Sequence, residues 1–255
     1  MVCAAAVVAS PAQTFTLLYS FDLTDGADPW AGLVQATDGN FYGTTYQGGA
    51  NGAGTVFKIT AGGVLTTLHS FDSTDGAYPS AGLVQATDGN FYGTTYQGGA
   101  NAAGTVFKIT AGGVLTTLHS FDGTDGADPF AGLVQATDGS FYGTTYYGGA
   151  GSGYGTVFKI TAGGVLTRLH SFDSTDGANP HAELVQATDG NFYGTTYNGG
   201  ANAAGTVFKI TAGGVLTTLH RFDFTDGAYP RARLVQATDG SFYGTTSGNS
   251  PRGGR

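Results

Sequence analysis

The stretch Leu33 to Thr45, LVQATDGNFYGTT, decides the fold, because it returns almost letter for letter from Leu83, Leu133, Leu184 and Leu234. Within it, the runs LVQAT and NFYGTTY flank Asp38-Gly39. An Asp-Gly pair between β-prone runs is a strong hairpin signal, so strand A (33–37) and strand B (40–46) are expected to pair across a two-residue turn. Working outward, GTVFKIT (54–60) reads as strand C and VLTTLHSF (64–71) as strand D, joined by the turn AGG. The copies begin at Thr16, Thr66, Thr116, Thr167 and Thr217, a period of 50 or 51 residues.

A single four-stranded sheet cannot cover both of its faces when Phe41, Val56, Phe57, Ile59, Leu65 and Leu68 are shared between them. Neighbouring copies must do so. A period of about 50 residues matches one four-stranded propeller blade, and radial packing leaves only short, protected edges. A linear β-solenoid has a shorter coil, about 20–30 residues. The expected fold is therefore all-β, a five-bladed β-propeller of four-stranded antiparallel blades. The last blade is incomplete, because after Thr246 the chain passes into SGNSPRGGR where a C strand should stand. The chain opens with a D-type stretch, TFTLLYSFD (14–22). Either that strand joins the last blade across a gap, or the chain belongs to a longer array.

Composition agrees with short aromatic strands and tight turns. There are 45 Gly, 17 Phe and 14 Tyr, and only 11% of residues are charged. The net charge is −8 and no run of Lys or Arg offers a phosphate footprint, so nucleic acid and anionic membranes are not expected partners. No apolar stretch is long enough to span a bilayer, and a monomer is expected. Residues 1–12 read as the remnant of an export signal, with Ser10 and Ala12 at the −3 and −1 places of a cleavage site. The sole cysteine, Cys3, lies in that segment, so the fold owes nothing to disulfides. The division is then 1–12 signal remnant, 13–246 propeller and 247–255 irregular tail, in a protein secreted from, or held at the surface of, a bacterium.

The paired blocks DGNFYGTTYQGGANGAGTVFKIT and LHSFDSTDGAYP resemble the GloVer tandem repeat across Thr16 to Thr246. The resemblance implies an exported bacterial protein without an assigned activity. Family members often carry a sorting or anchoring tail, and no such pattern follows Thr246.

In an up-and-down blade the tight A–B and C–D turns share one end, and the long B–C and D–A connections share the other. Loops on a rigid scaffold are where binding sites gather. At the entry to strand A one position reads Trp30, Ser80, Phe130, His181 and Arg231, and the residue two before it reads Asp28, Tyr78, Asp128, Asn179 and Tyr229. Two places on, Gly32, Gly82 and Gly132 give way to Glu183 and Arg233. Trp30, Tyr78, Phe130, His181, Tyr229 and Arg231 are thus the candidate ligand-binding residues, with aromatic faces suited to a glycan or a peptide. The plainer reading is a tolerant surface loop.

The aspartates recur as pairs: Asp22/Asp25, Asp72/Asp75, Asp122/Asp125, Asp173/Asp176 and Asp223/Asp226. They could offer oxygens to calcium, but fewer than the 6–8 it takes are visible; the alternative is that each accepts hydrogen bonds from its own turn. No other cofactor is expected. Catalysis finds no constellation. His69, His119, His170 and His220 lie in strand D, yet the first copy has Tyr19 there, and Glu183 is the only glutamate. The expectation is a non-enzymatic binding or display scaffold, the alternatives being a lectin-like propeller or a purely structural repeat.

Overall fold

The computed structural model describes residues 15–151 and 153–248. It contains no helix among them. Blade one comprises β1 (Val34–Gln35), β2 (Phe41–Thr45), β3 (Thr55–Ile59) and β4 (Leu65–Ser70), hydrogen-bonded in that order. The pattern repeats in blade two (β5 Val84–Gln85, β6 Phe91–Thr95, β7 Thr105–Ile109, β8 Leu115–Ser120) and blade three (β9 Val134–Gln135, β10 Phe141–Thr145, β11 Thr156–Ile160, β12 Leu166–Ser171). Blade four follows suit: β13 Val185–Gln186, β14 Phe192–Thr196, β15 Thr206–Ile210, β16 Leu216–Arg221. Every pairing is antiparallel. In these four blades the expected A, B, C and D strands are all found, trimmed by a residue or more at their ends.

Repeat five retains β18 (Val235–Gln236) paired with β19 (Phe242–Tyr243), and β17 (Ala228–Pro230) paired with β20 (Thr246–Gly248). The Ala228↔Gly248 pair corresponds to the bridges Ala27↔Gln47, Ala77↔Gln97, Ala127↔Tyr147 and Ala178↔Asn198 in the other copies. The repeat register thus persists to Gly248, two residues into the stretch read from sequence as irregular. The signal remnant 1–12 and the tail beyond Gly248 lie outside the described residues.

The core lies between blades. Ala36, Tyr42, Val56 and Phe71 of repeat one pack on Leu83, Phe91, Phe107 and Ile109 of repeat two, and equivalent clusters join two to three and three to four. Each buried aromatic or aliphatic side chain contributes about 1.5–3 kcal/mol. Stacked rings repeat the joint: Tyr42 on Phe91, Tyr92 on Phe141, Tyr142 on Phe192 and Tyr193 on Phe242, with centroids 3.9–4.1 Å apart. Near the tight turns, Thr37 N donates to Gln85 Oε1 at 3.0 Å, and the same bond recurs at Thr87–Gln135, Thr137–Gln186 and Thr188–Gln236.

Two expectations need correction. The A–B connection is not a two-residue turn in which both residues have positive φ. Gly39 has φ of 82° but Asp38 does not share that region. Gly39 N donates to Ala36 O and Ala36 N to Asn40 O, which makes a three-residue loop closed by a left-handed glycine. Asp38 serves instead as an acceptor for Asn40 N at 3.0 Å. Secondly, the D-type stretch at the start forms no strand: Phe15 to Asp22 joins no ladder among the described residues. Among the described residues no ladder joins that stretch or blade one to repeat five, and Tyr243 is 62% exposed.

Candidate ligand-binding face

The D–A segments of all five repeats converge. Ala31 to Leu33, Ser80 to Leu83, Phe130 to Gly132, His181 to Glu183, and Arg231 with Arg233 line one cavity of about 580 Å³ at the centre of the array. A neighbouring cavity of about 280 Å³ is walled by Tyr96, Phe130, Tyr146, Tyr147, His181, Tyr197 and Arg231. Phe130, His181 and Arg231 belong to both walls.

The loops that carry these side chains are anchored by backbone bonds as well as by buried alanines such as Ala77, Ala178 and Ala228. Ala77 N donates to Gln97 O at 2.7 Å and Tyr78 N to Ala53 O at 2.8 Å, which ties this strand-A entry both to the end of its own strand B and to the preceding blade's B–C loop, and the second bond recurs at Asp128, Asn179 and Tyr229. Ser80 Oγ donates to Phe130 O at 3.0 Å, linking one entry to the next. Phe130 lies 4.1 Å from His181, centroid to centroid, and edge-on to Tyr96. The Arg231 guanidinium sits over the Tyr197 ring at 4.8 Å and donates to its hydroxyl at 3.0 Å. Trp30 stacks on Tyr46 at 3.9 Å and is exposed; Tyr78 packs against Tyr46, and Tyr229 against Tyr197.

Of the six residues expected from the sequence, Phe130, His181 and Arg231 meet at one cavity wall, while Trp30, Tyr78 and Tyr229 lie outside it and Tyr229 is buried against Tyr197. Sequence reasoning missed Tyr46, Tyr96, Tyr146 and Tyr197, the residue that ends strand B in four copies. Their constancy made them look like framework. The signal was their place, one residue past the last buried threonine of strand B and facing the long loops.

The electrostatics are those of a partly desolvated pocket. Burial pushes the His181 pKa down, and the Arg231 charge adds to it, so the imidazole is neutral at pH 7. Burial pushes the Glu183 carboxyl up, opposed by Arg233, whose Nη1 lies 3.7 Å from Glu183 Oε2. Burial likewise raises Asp128 and the Tyr46 and Tyr96 hydroxyls. The result is an aromatic floor with two guanidinium groups and one carboxyl.

The aspartate pairs lie earlier in the same D–A loops and line neither of these two cavities. Asp72 Oδ1 accepts from Thr74 N at 2.9 Å and Thr74 Oγ1 at 2.6 Å, and the other four copies share the pattern with Asp22, Asp122, Asp173 and Asp223. Asp75 Oδ2 meets His69 Nε2 at 2.6 Å, as Asp125 meets His119, Asp176 meets His170 and Asp226 meets His220. In the first copy the Tyr19 hydroxyl donates to Asp25. The strand-D histidine is thus a stitch between strand and loop, and tyrosine serves equally. Among the described residues no group of three or more His, Cys, Asp or Glu side chains could hold a metal.

The profile of the Gloeobacter/Verrucomicrobia repeat matches residues 6–152 and again 127–254. The chain belongs to that family. Among curated proteins, none matches it in sequence. Solved structures share the repeat's fold at low identity. A gluconolactonase from Xanthomonas campestris aligns with a TM-score of 0.56 at 13% identity, over 88% of this chain and 72% of that one. A Bacteroides thetaiotaomicron protein of unknown function gives 0.55 at 15%, over 86% and 52%. A further gluconolactonase candidate gives 0.51 at 16%, over 88% and 73%. At such identities the likeness is one of fold: blades of the β-propeller type.

Proposed function

We propose that this repeat protein is an exported, non-enzymatic binding scaffold whose ligand site is the aromatic face built from the strand-A entries and the strand-B tyrosines. The observation that carries the reading is the meeting of Phe130, His181 and Arg231 with Tyr96, Tyr146 and Tyr197 around one cavity. Flat aromatic faces beside hydrogen-bonding groups fit a sugar ring, whose apolar face stacks while its hydroxyls find donors and acceptors. Arg231 supplies donors there, and Glu183 and Arg233 supply an acceptor and further donors in the adjoining cavity. A glycan is therefore the ligand class, which makes the lectin-like version of the scaffold the one the geometry favours. The non-enzymatic part rests on Glu183 being the sole carboxylate on the walls of the central cavity, whereas glycoside hydrolysis uses a facing pair. Export rests on the sequence of residues 1–12 alone.

The test is an array of glycans and peptides probed with the purified chain and with the triple variant Phe130→Ala, His181→Ala, Arg231→Ala. Retention of one glycan class, weakened at least tenfold in the variant with unchanged melting, is the expected result. Retention of peptides only, or equal retention by the variant, would discard the reading.

A further inference from the structure

The most telling surface lies away from that face, at the open side of blade one. Leu83, Leu133, Leu184 and Leu234 are 8%, 6%, 3% and 6% exposed, each covered by the preceding blade, whereas their counterpart Leu33 is 52% exposed. Together with Leu18, Phe21, Pro29, Phe57 and Ile59, Leu33 lines an apolar groove of about 260 Å³. The same positions in later repeats receive a valine of strand C and a tyrosine of strand B: Val56 and Tyr42 pack on Leu83, Phe91, Phe107 and Ile109. The molecule itself shows three times what fills such a groove.

The segment Phe15 to Phe21 shows the second half of the requirement. Leu18 O lies 2.7 Å from where a Cβ on Gly63 would stand, as Leu68 O does for Gly113, Leu118 O for Gly164 and Leu169 O for Gly214. Phe21 packs edge-on against Phe57 at 5.1 Å, as Phe71 does against Phe107 at 5.3 Å. The segment therefore occupies the strand-D place of a preceding blade. Yet it belongs to no ladder, while the equivalent LTTLHS of β4 pairs along its length with β3. What separates the two is a C-type neighbour.

We propose that this groove and the edge of Phe15 to Phe21 form a strand-complementation site, which takes a B–C hairpin of the same repeat sequence from a second polypeptide. Its C strand would pair with the free edge, and its valine and tyrosine would enter the groove against Leu33, Phe57 and Ile59. Addition of a strand to an open edge, with alternate side chains read by pockets, is an established mode of peptide capture. The edge supplies backbone bonds and the groove supplies selection. Among the described residues, blade five leaves that place unfilled: β19 has no C strand beside it, and Tyr243 is 62% exposed.

The probe is a synthetic peptide with the sequence of residues 90–111, NFYGTTYQGGANAAGTVFKITA. Trp30 is the chain's one tryptophan, is 58% exposed, and lies next to Pro29 and Ala31 of the groove, so its emission reports on docking. Titration of the intact chain is expected to give a saturable blue shift, with slowed amide exchange confined to residues 15–21 and blade one. The same peptide carrying Val106→Lys, and the protein variant Leu33→Lys, should each bind at least tenfold more weakly. Because the peptide variant leaves the protein untouched, that comparison holds even if Leu33→Lys perturbs folding. No saturable shift together with unprotected amides at 15–21 would overturn the proposal, as would equal binding of the Val106→Lys peptide.

Discussion

One backbone position governs the entry to every strand A. Asp28, Tyr78, Asp128, Asn179 and Tyr229 all have φ between 55° and 58°, the left-handed region. For most side chains that conformation costs about 1–2 kcal/mol, and Asn and Asp bear it best. Asn179 also gains from it: its Nδ2 donates to Tyr146 O at 3.0 Å and its Oδ1 accepts from Asn198 at 3.1 Å. Asp128 occupies the same place with no donor to offer, and burial raises its pKa, so its charge is carried at a cost. Asp128→Asn should therefore raise stability by about 1 kcal/mol, the net worth of one hydrogen bond, read as a higher urea midpoint at pH 7. Comparing the copies exposed which residue changes at this position, because side-chain identity is written in the chain. The shared left-handed backbone was not legible there, since two of its five occupants are tyrosines. The strand-B tyrosines were hidden for a different reason: a residue shared by four of the five copies looks the same whether it holds the fold or lines a site.

Within a blade, the middle of strand B is a glycine in all five repeats, in extended rather than left-handed backbone. Gly93 stands opposite Phe107 in the register, and a Cβ there would come within 2.7 Å of the Phe107 ring and 2.9 Å of Leu83 Cδ2. The glycine is thus required by the ring that crosses it, not by the chain's direction. Gly93→Ala should destabilise by about 1–3 kcal/mol, as overpacking of a full core does, whereas Gly39→Ala acts through its positive φ and meets no neighbour within 4 Å. Pairing Gly93→Ala with Phe107→Leu should recover part of the loss in a double-mutant cycle. The four strands of each blade were legible because their alternation and their bounding glycines are local. Turn type was less so, since Asp-Gly suits both a two-residue turn and a three-residue loop, and the choice falls to Asp38 capturing Asn40 N. The opening TFTLLYSFD was misread as a strand for a deeper reason: its residues have strand character, but a strand exists only where a neighbouring backbone accepts its bonds.

At the scale of the whole array, stability is a sum over blades and the joints between them. Blades two and three are covered on both sides, blade one only by blade two, and repeat five has two short pairs of strands. Native-state hydrogen exchange should accordingly be slowest in β6, β7, β10 and β11 and fastest in β18 and β19. The same repetition multiplies small electrostatic effects. In each copy the Thr24-type hydroxyl and amide hold the Asp22-type carboxyl below its ordinary 3.8, at Asp22, Asp72, Asp122, Asp173 and Asp223, and the Asn40-type amide does so at Asp38 and Asp189. A carboxyl whose pKa is lowered by folding stabilises the fold above its unfolded pKa, and the contribution disappears as pH falls through the folded value. The aspartates should thus leave the melting temperature unchanged down to about pH 4 and make it drop steeply towards pH 2, where Asp122 titrates, while the lowered His181 pKa adds its own loss as pH falls below 6.5. The opposite limb belongs to tyrosine. Burial, with Asp38 and Asp88 accepting from the hydroxyls, pushes Tyr42 and Tyr92 up to about 12, so their contribution is complete below pH 10 and is lost between 10 and 12. The acid limb has a specific check. Thr124→Val removes the largest cause at Asp122, so carboxyl NMR should show that group alone moving from about 2 towards 3.8 while its four counterparts stay put. Equal movement of all five would mean that the whole array, rather than each turn, sets their acidity.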